Sequence, residues 1–534
     1  MQDPYYYCDD GGGPITRRRL LGGAATGLAV VSGAALLDAC GGSATSARTT
    51  TAGSPPRRGG TLRVAVAGDS SLDTVDPHHA AAIPDYGRIA ALYNTLGWSE
   101  NPQFKPEYQL AEEITWNRTG TEWTIRLKSG VEFHNGKTLT ADDLLYTVQR
   151  ITNPKEAANP APIFNWAKLS EFKKLDTRTV RITLSQPYSG VEKAFYDINS
   201  AIVPVGFNPK APVGTGPFKF KSFTPGGLFV AEAFENFWGG RPYIDELRMI
   251  GITDETARVN ALLAGQVDAA NAIAPTAVPQ LMSNSAVRVL DYPAGGFFPF
   301  VMNCTQRPFT DRRVRQAFRL MADRKQIIAD AYLGHARLGN DLYSPDDAWY
   351  LTAPQREQNI EQAKALLRAA GYSGETLVLN VTDQGIGSIP AAQVYAQQCN
   401  AAGVTVKVRE IDAATWVSNV GKWTFTNGVW NQFPYQEMVK DADGPGAPYD
   451  ETNFGNQDPE FAGLFRQLFQ EMDPAKQRQI AHDMQSIQFD RGGYIIVSFP
   501  NVPSAVSAKT QGWVHDPSGV DFGMFNFRKV SFNG

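Results

Sequence analysis

A strand–helix–strand segment in the C-terminal half constrains the fold of this chain most. Residues 376–382 are rich in aliphatic and β-branched side chains, residues 390–402 have helical spacing and end before Gly403, and residues 404–411 form a second strand-like run. A helix that joins two adjacent strands in this way makes them parallel. The chain is therefore predicted to be an α/β protein.

The length of the chain indicates more than one packed unit. It has 534 residues, whereas single domains usually hold about 100–200. Further patterns predict a strand over 61–67, two antiparallel strands within 214–234, a helix over 140–151 that Thr140 caps together with Asp143, and one apolar strand over 494–499. We expect mixed sheets distributed over two lobes.

The N-terminal segment has the features of an export signal. Arg17, Arg18 and Arg19 precede an apolar stretch rich in Gly and Ala, which ends at Leu37-Asp38-Ala39-Cys40. This order resembles a twin-arginine signal followed by a lipobox. We predict that residues 1–39 are a lipoprotein signal peptide, that Cys40 carries the lipid, and that residues 40–60 are a flexible tether. A single transmembrane helix is the alternative.

Motifs for catalysis are missing from the sequence. It contains no G-x-S-x-G, no H-E-x-x-H, no P-loop and no G-x-G-x-x-G between a strand and a helix. We predict no enzymatic activity, no metal and no cofactor. The formal net charge of −4 gives no basic surface for nucleic acid. For Cys304 and Cys399, a disulfide and two free thiols both stay open.

Several sequence blocks in a fixed order carry a family likeness. The most specific block contains the turn Phe133-His134-Asn135-Gly136 and, shortly after it, a helix that starts Ala141-Asp142-Asp143. Further blocks lie at 214–218, 236–243 and 308–324. Together they resemble the bacterial extracellular solute-binding proteins of peptide and nickel ABC importers, such as the dipeptide- and oligopeptide-binding lipoproteins.

This resemblance implies a fold and a function. The fold would be a two-lobed periplasmic-binding-protein-like clamp of type II, in the peptide-binding cluster, with an extra subdomain in lobe I. The implied boundaries are 61–98 with 213–294 and 501–534 for lobe I, 99–212 for the extra subdomain, and 297–500 for lobe II.

The implied protein is a monomeric lipoprotein on the outer face of the cell membrane. It would capture a small solute between its lobes and deliver it to the permease and ATPase subunits of an ABC importer. A sensor or chaperone lipoprotein with the same clamp, and a secreted hydrolase, are the alternatives.

The resemblance also suggests where a ligand would bind. Peptide-binding relatives carry a Trp-x-x-Asp-Tyr-type segment whose aspartate binds the ammonium group of the peptide, but here Asn431 or Gln432 takes that place. This departure favours a neutral polar ligand, such as an oligosaccharide or a blocked peptide, because a buried ammonium needs a counter-charge. Glu437 and Asp441 stay open as other sources of that charge. The expected ligand-binding residues are Trp430, Asn431, Gln432, Tyr435, Trp416, Asp383, Gln384, Asn303, Tyr93, Asn94 and Phe499.

Overall fold

The computed structural model describes residues 8–9, 13–14, 55–68, 70, 72–98, 107–515 and 517–534. The predicted lipidation site Cys40 and most of the predicted signal peptide and tether lie outside these residues. Of the first 54 residues, only the pairing of Cys8–Asp9 with Gly13–Pro14 is described. At the end of the predicted tether, Pro56–Arg57 forms a short strand that pairs with Ser531–Asn533. Across the described ranges, no helix has the length and apolarity needed to span a membrane.

Lobe I is built on a seven-stranded mixed sheet. Its central strand, Thr61–Val66, is buried because Leu62, Val64 and Val66 all point into the apolar core. This strand runs parallel to the strands on both of its sides, as expected for the interior of an α/β sheet. In sheet order the strands are Phe218–Phe223, Leu228–Ala233, Glu246–Gly251, Thr61–Val66, Ala269–Ala270, Ser504–Ser507 and Val287–Leu290.

The extra subdomain has a four-stranded antiparallel sheet with its own core. Helix Ala141–Thr152 begins where the Thr140 backbone N–H donates a 2.9 Å hydrogen bond to Asp143 Oδ2. This bond satisfies a helix-end group in the manner of a capping box. The strands follow the order Ala111–Trp116, Glu122–Leu127, Thr179–Thr183 and Phe172–Lys174.

Lobe II contains a five-stranded mixed sheet. Leu377–Val381 and Val406–Glu410 pair in parallel, and Ser388–Ala401 is the helix between them, so the predicted βαβ unit is confirmed. The strands follow the order Val406–Glu410, Leu377–Val381, Phe425–Asn427, Phe300–Met302 and Tyr494–Ile495.

Helices and small strand pairs complete the three units. The remaining α-helices are Ile83–Leu92, Val191–Ala194, Glu255–Leu263, Val278–Met282, Arg312–Met321, Arg324–Tyr332, Ile360–Ala370, Ala413–Ser418, Tyr435–Met438, Pro459–Gln470, Pro474–Arg491 and Asp521–Phe525. A π-helical turn spans Val439–Asp443, and 3-10 turns span Pro77–His79, Leu169–Glu171, Ile198–Ser200 and Phe527–Lys529. Short strands pair Gly97–Trp98 with Glu107–Tyr108, Ala336–Leu338 with Ser498–Pro500, and Ser531–Asn533 with both Thr510–Gln511 and Pro56–Arg57.

The prediction of one strand over 494–499 is wrong. Tyr494–Ile495 pairs with the lobe II sheet, whereas Ser498–Pro500 pairs with Ala336–Leu338. Between them, the backbone N–H of Ile496 donates a 3.0 Å hydrogen bond to the carboxylate of Asp341. The chain leaves the sheet at this point because a side chain from another segment supplies the acceptor.

The two lobes meet where the chain passes between them, next to residues 291–297 and 499–504. Asp291 accepts hydrogen bonds from the Asn501 amide, at 2.7 Å, and pairs with His335, at 2.6 Å. Gly295 N donates to Pro517 O at 2.9 Å, and a side chain at this glycine would meet the amide of Gln432. This close approach explains why a residue without a Cβ is needed there.

Candidate ligand-binding cleft

A polar seam joins the extra subdomain to lobe II across the cleft. The Ser189 backbone N–H donates a 2.8 Å hydrogen bond to Phe469 O. The side chain of Gln436 donates to Ser189 Oγ at 2.8 Å and accepts from Lys193 Nζ at 2.5 Å. These partners come from segments far apart in the sequence, so the bonds exist only when the subdomain and lobe II are together.

A second set of contacts lies beside this seam. Lys440 Nζ of lobe II donates to the Ile163 carbonyl of the subdomain at 2.6 Å. The rings of Tyr188 and Phe469 stack across the junction with centroids 5.6 Å apart. Burial lowers the pKa of Lys440 to about 8, although nearby carboxylates act against this shift. The structure therefore shows the lobes in contact through neutral acceptors and stacked rings.

Trp430 forms part of the lobe II wall. It exchanges two backbone hydrogen bonds with Phe297, of 2.8 and 3.0 Å, and its indole N–H donates to Glu451 Oε2 at 3.2 Å. Its ring lies 6.3 Å from that of Tyr449, centroid to centroid, and Tyr449 is 48% exposed. Two aromatic rings with an accessible face can stack on a ligand.

Gln432 has an unusual environment for an amide. Its side chain is fully buried, yet neither Oε1 nor Nε2 has a hydrogen-bond partner. Its backbone N–H donates to Ser518 O at 2.9 Å, which fixes the residue where lobe II meets the C-terminal segment. Buried amides without partners are rare and costly in proteins. The amide lies against Gly295, at the passage between the lobes, and its two polar atoms form no hydrogen bond within the described residues.

Three carboxylates near the contact between the subdomain and lobe II influence one another electrostatically. Asp197 lies in the subdomain, and Glu437 and Asp441 lie on consecutive helical turns of lobe II. Burial, together with the charges of Asp197 and Asp441, raises the pKa of Glu437 well above its usual value. Burial likewise raises the pKa of Asp197 to about 6 and that of Asp441 to about 7. The sequence alone does not place Glu437 and Asp441, and it gives no signal for Asp197, which stands apart from any recognisable motif.

Five predicted site residues lie within the packed interior. Tyr93 donates its hydroxyl to Val75 O at 2.8 Å, and Tyr435 donates to Gln488 at 2.9 Å. The side-chain nitrogen of Asn303 donates to Gly421 O, and its side-chain oxygen accepts from Thr305 N. The indole N–H of Trp416 donates to Asn427 O at 2.9 Å. Phe499 packs edge-to-face on Phe297. The polar groups of these residues are already used by the fold.

The other predicted site residues lie nearer to solvent or in a separate pocket. Asp383 is exposed and Gln384 is half-buried, in the loop after strand Leu377–Val381. The amide nitrogen of Gln384 is buried and has no partner. Asn431, next to Gln432, is half-buried. Asn94 lines a lobe I pocket of about 180 Å³ and accepts a 3.0 Å hydrogen bond from Trp238.

Neither thiol of the body forms a disulfide. Cys304 and Cys399 are both free and buried, and they belong to different apolar clusters. Burial raises the pKa of each to about 12, so both are inert packing groups. Across the described ranges, His, Cys, Asp and Glu form no group of three suited to a metal ion.

The architecture defines a class of protein: a two-lobed clamp with a subdomain that completes the cleft. Residues 105–444 match the family model "Bacterial extracellular solute-binding proteins, family 5 Middle", and the chain belongs to this family. It is the substrate-binding protein of an ABC importer, and the family consists of binding proteins rather than enzymes. The family is extracellular or periplasmic, which places the chain outside the cytoplasm.

The chain resembles individual relatives in sequence and solved structures in fold, at low sequence identity. The glutathione-binding protein GsiB of Escherichia coli K12 is 23% identical over 487 residues, which cover 86% of this chain and 93% of GsiB. The oligopeptide-binding protein AppA of Bacillus subtilis, solved with a nonapeptide, has a TM-score of 0.74 and 22% identity, covering 90% of this chain and 100% of AppA. AgaA of A. tumefaciens R10, solved with agropinic acid, has a TM-score of 0.76 and 23% identity, covering 89% and 99%.

Proposed function

We propose that this protein captures a peptide-like solute between its lobes and hands it to a membrane permease. The observation that carries the proposal is the buried amide of Gln432, whose two polar atoms have no partner in the protein. Relatives support the ligand class, since GsiB is named for glutathione and AppA was solved with a nonapeptide. We expect binding to favour the closed arrangement because a ligand in the cleft contacts both lobes.

The proposed contact residues lie mainly on lobe II. Trp430 offers an indole face next to Tyr449, and Asn431 and Gln432 follow it in the chain. Gln384 adds a second amide nitrogen that has no partner. Amides and aromatic rings suit the carbonyl and N–H groups of a peptide backbone. Lobe I, the subdomain and lobe II would keep the boundaries that the sequence predicts, with passages between lobes near 294–297 and 500–501.

Ligand capture can be tested with the purified full chain. Native mass spectrometry would identify the molecule that copurifies, and calorimetry would measure its affinity after removal and re-addition. Gln432→Ala should weaken binding about tenfold, because it removes hydrogen bonds to a buried polar group. Gln479→Ala, an exposed glutamine on helix Pro474–Arg491, is the matched control. Equal affinity of both variants would refute the role of Gln432, and copurification of a sugar would refute the peptide-like ligand class.

We also propose that the chain is a lipoprotein anchored through Cys40. Support comes from the sequence alone: the arginine cluster, the apolar stretch and the small residue before the cysteine. Cys40→Ser should release the protein from the membrane fraction and abolish labelling with a fatty acid. Cys8→Ser, ahead of the arginines, is the control and should change neither. Membrane retention of the Cys40→Ser protein would favour a transmembrane anchor instead.

A further inference from the structure

Asp197, Glu437 and Asp441, named here the cleft carboxylates, lie beside the seam between the subdomain and lobe II. Gln436 and Lys440, the chain neighbours of Glu437 and Asp441, bond across this seam to Lys193 and to Ile163 O. Asp197 caps the 3-10 turn Ile198–Ser200, where it accepts a 2.7 Å hydrogen bond from Asn199 N. The other two follow Tyr435 on lobe II. The charges of Asp197 and Asp441 act on Glu437, and the charge of Asp197 also acts on Asp441. Lobe closure therefore brings like charges together, which opposes closure unless something offsets them.

Within the described residues, no lysine or arginine forms an ion pair with any of the cleft carboxylates. Asp441 is more than nine-tenths buried, and its Oδ1 has no hydrogen-bond partner. Lys193 and Lys440 act on Glu437 only from a distance, since they donate their hydrogen bonds to Gln436 Oε1 and to Ile163 O.

Aromatic rings border the same space. Tyr449 N donates a backbone hydrogen bond to Asp441 O at 3.0 Å, and the half-exposed Tyr449 hydroxyl is near enough that burial, followed by the charges of Asp441 and Asp197, raises its pKa. The ring of Trp430 packs edge-to-face with that of Tyr449. From lobe I, Tyr86 approaches closely enough that burial, followed by the charges of Asp197 and Tyr449, raises the pKa of its hydroxyl. Aromatic faces next to carboxylates are the surroundings that bind organic cations.

We propose that the cleft carboxylates bind one cationic group of the ligand, an ammonium or a guanidinium, against the ring of Tyr449. The inference rests on the proposed capture of a peptide-like solute and names the charge that this solute carries. A cation between Asp197 and Asp441 removes the repulsion across the seam, so binding and closure favour each other. Asn431 and Gln432 provide no negative charge for a ligand cation. Glu437 and Asp441, further along lobe II, and Asp197 of the subdomain provide it instead. The ligand is cationic at this point, in contrast to the neutral ligand that the sequence favours.

The test compares pools of short synthetic peptides on the full chain, freed of copurified ligand. One pool has free N-termini and uncharged side chains, the second is the same pool N-acetylated, and the third is N-acetylated with one lysine or arginine. Binding is measured by calorimetry. The free-amine pool or the lysine and arginine pool should bind at least about tenfold more tightly than the neutral pool.

Variants decide whether the named residues are responsible. Glu437→Gln with Asp441→Asn should remove the preference for the cationic pools, whereas Asp330→Asn, an exposed aspartate of lobe II, should keep it. Thermal unfolding checks that each variant is folded. Equal binding of cationic and neutral pools by the native protein would overturn the inference but not the proposed function. Binding of no pool would overturn both.

Discussion

Asp341 and Asp441 are both buried aspartates of lobe II, but only one of them has cationic partners. Asp341 receives two hydrogen bonds from Arg324, of 2.8 and 2.9 Å, and Arg356 lies 3.2 Å away. Burial alone would raise its pKa, yet the nearby arginines hold that pKa below its usual value. Asp441 has one carboxylate oxygen without any partner, and burial raises its pKa to about 7.

The same difference separates two junctions of the subdomain. At its junction with lobe I, Arg150 donates two hydrogen bonds, of 2.9 and 2.5 Å, to Asp76. At its junction with lobe II, Asp197 has no arginine or lysine bonded to it. In these two comparisons the acids with bonded arginines have their charge compensated by the protein, whereas Asp197 and Asp441, beside the contact between the subdomain and lobe II, do not. Buried acids without a bonded cation beside a cleft are therefore candidates for contact with a ligand.

The largest expected effect is on the stability of the paired site. Asp341→Asn preserves shape and suits the positive φ of 63° at this position, but it leaves Arg324 and Arg356 buried without their counter-charge. We expect the free energy of unfolding to fall by about 3 kcal/mol or more. Denaturant unfolding of this variant and of Asp330→Asn measures the difference. A loss below about 1 kcal/mol would remove the distinction between paired and unpaired acids.

The next effect concerns Glu451, a buried acid with neutral partners only. Trp430 and Tyr494 donate to it at 3.2 and 3.3 Å, and burial raises its pKa to about 8. Because the folded pKa exceeds the unfolded one of about 4.3, this group lowers the free energy of unfolding as pH rises from about 4.5 to 8.

Glu451→Gln has no such titration. It should be more stable than the native protein by at least about 1–2 kcal/mol near pH 8, and the difference should be much smaller near pH 5. Denaturant unfolding across this pH range checks the sign. If the free energy of unfolding changed with pH in the same way in both proteins, ionisation of Glu451 would not destabilise the fold. That result would contradict the raised pKa of this carboxyl group.

The smallest effect is expected at the closing seam. Ser189→Ala removes the hydroxyl that bonds to Gln436 at 2.8 Å, a contact between neutral groups worth about 1 kcal/mol. Ligand affinity should fall about three- to tenfold, and the fluorescence transfer efficiency between dyes on the two lobes should shift toward the open state. Ser486→Ala, exposed on helix Pro474–Arg491, should change neither. Unchanged closure in Ser189→Ala would assign the seam to packing alone.

Local sequence patterns were sufficient for much of the fold. The cap formed by Thr140 and Asp143 and the parallel unit around helix Ser388–Ala401 follow from short-range spacing. The break after Ile495 does not, because it depends on Asp341, a residue about 150 positions earlier that bonds to Ile496 at 3.0 Å. Contacts of this range have no periodic signature in a single sequence.

Part of the candidate site can be recognised in the sequence, and part becomes visible only in the folded protein. The departure at Asn431 and Gln432 is visible in the sequence, and the unpartnered amide of Gln432 lies next to it. The preference for a neutral ligand rests on those two positions, whereas the charge of Asp197 acts on Glu437 from a segment about 240 positions earlier in the chain. A rule based on one motif position cannot detect a charge that another lobe supplies.

The most direct test measures stability and ligand affinity in parallel for Asp341→Asn and Asp441→Asn. The account predicts that Asp341→Asn unfolds more easily but binds the cationic peptide pool normally. It predicts that Asp441→Asn keeps its free energy of unfolding to within about 1 kcal/mol, because no pair is broken, and loses about tenfold or more in affinity. Equal loss of stability in both variants, with unchanged affinity in Asp441→Asn, would contradict it.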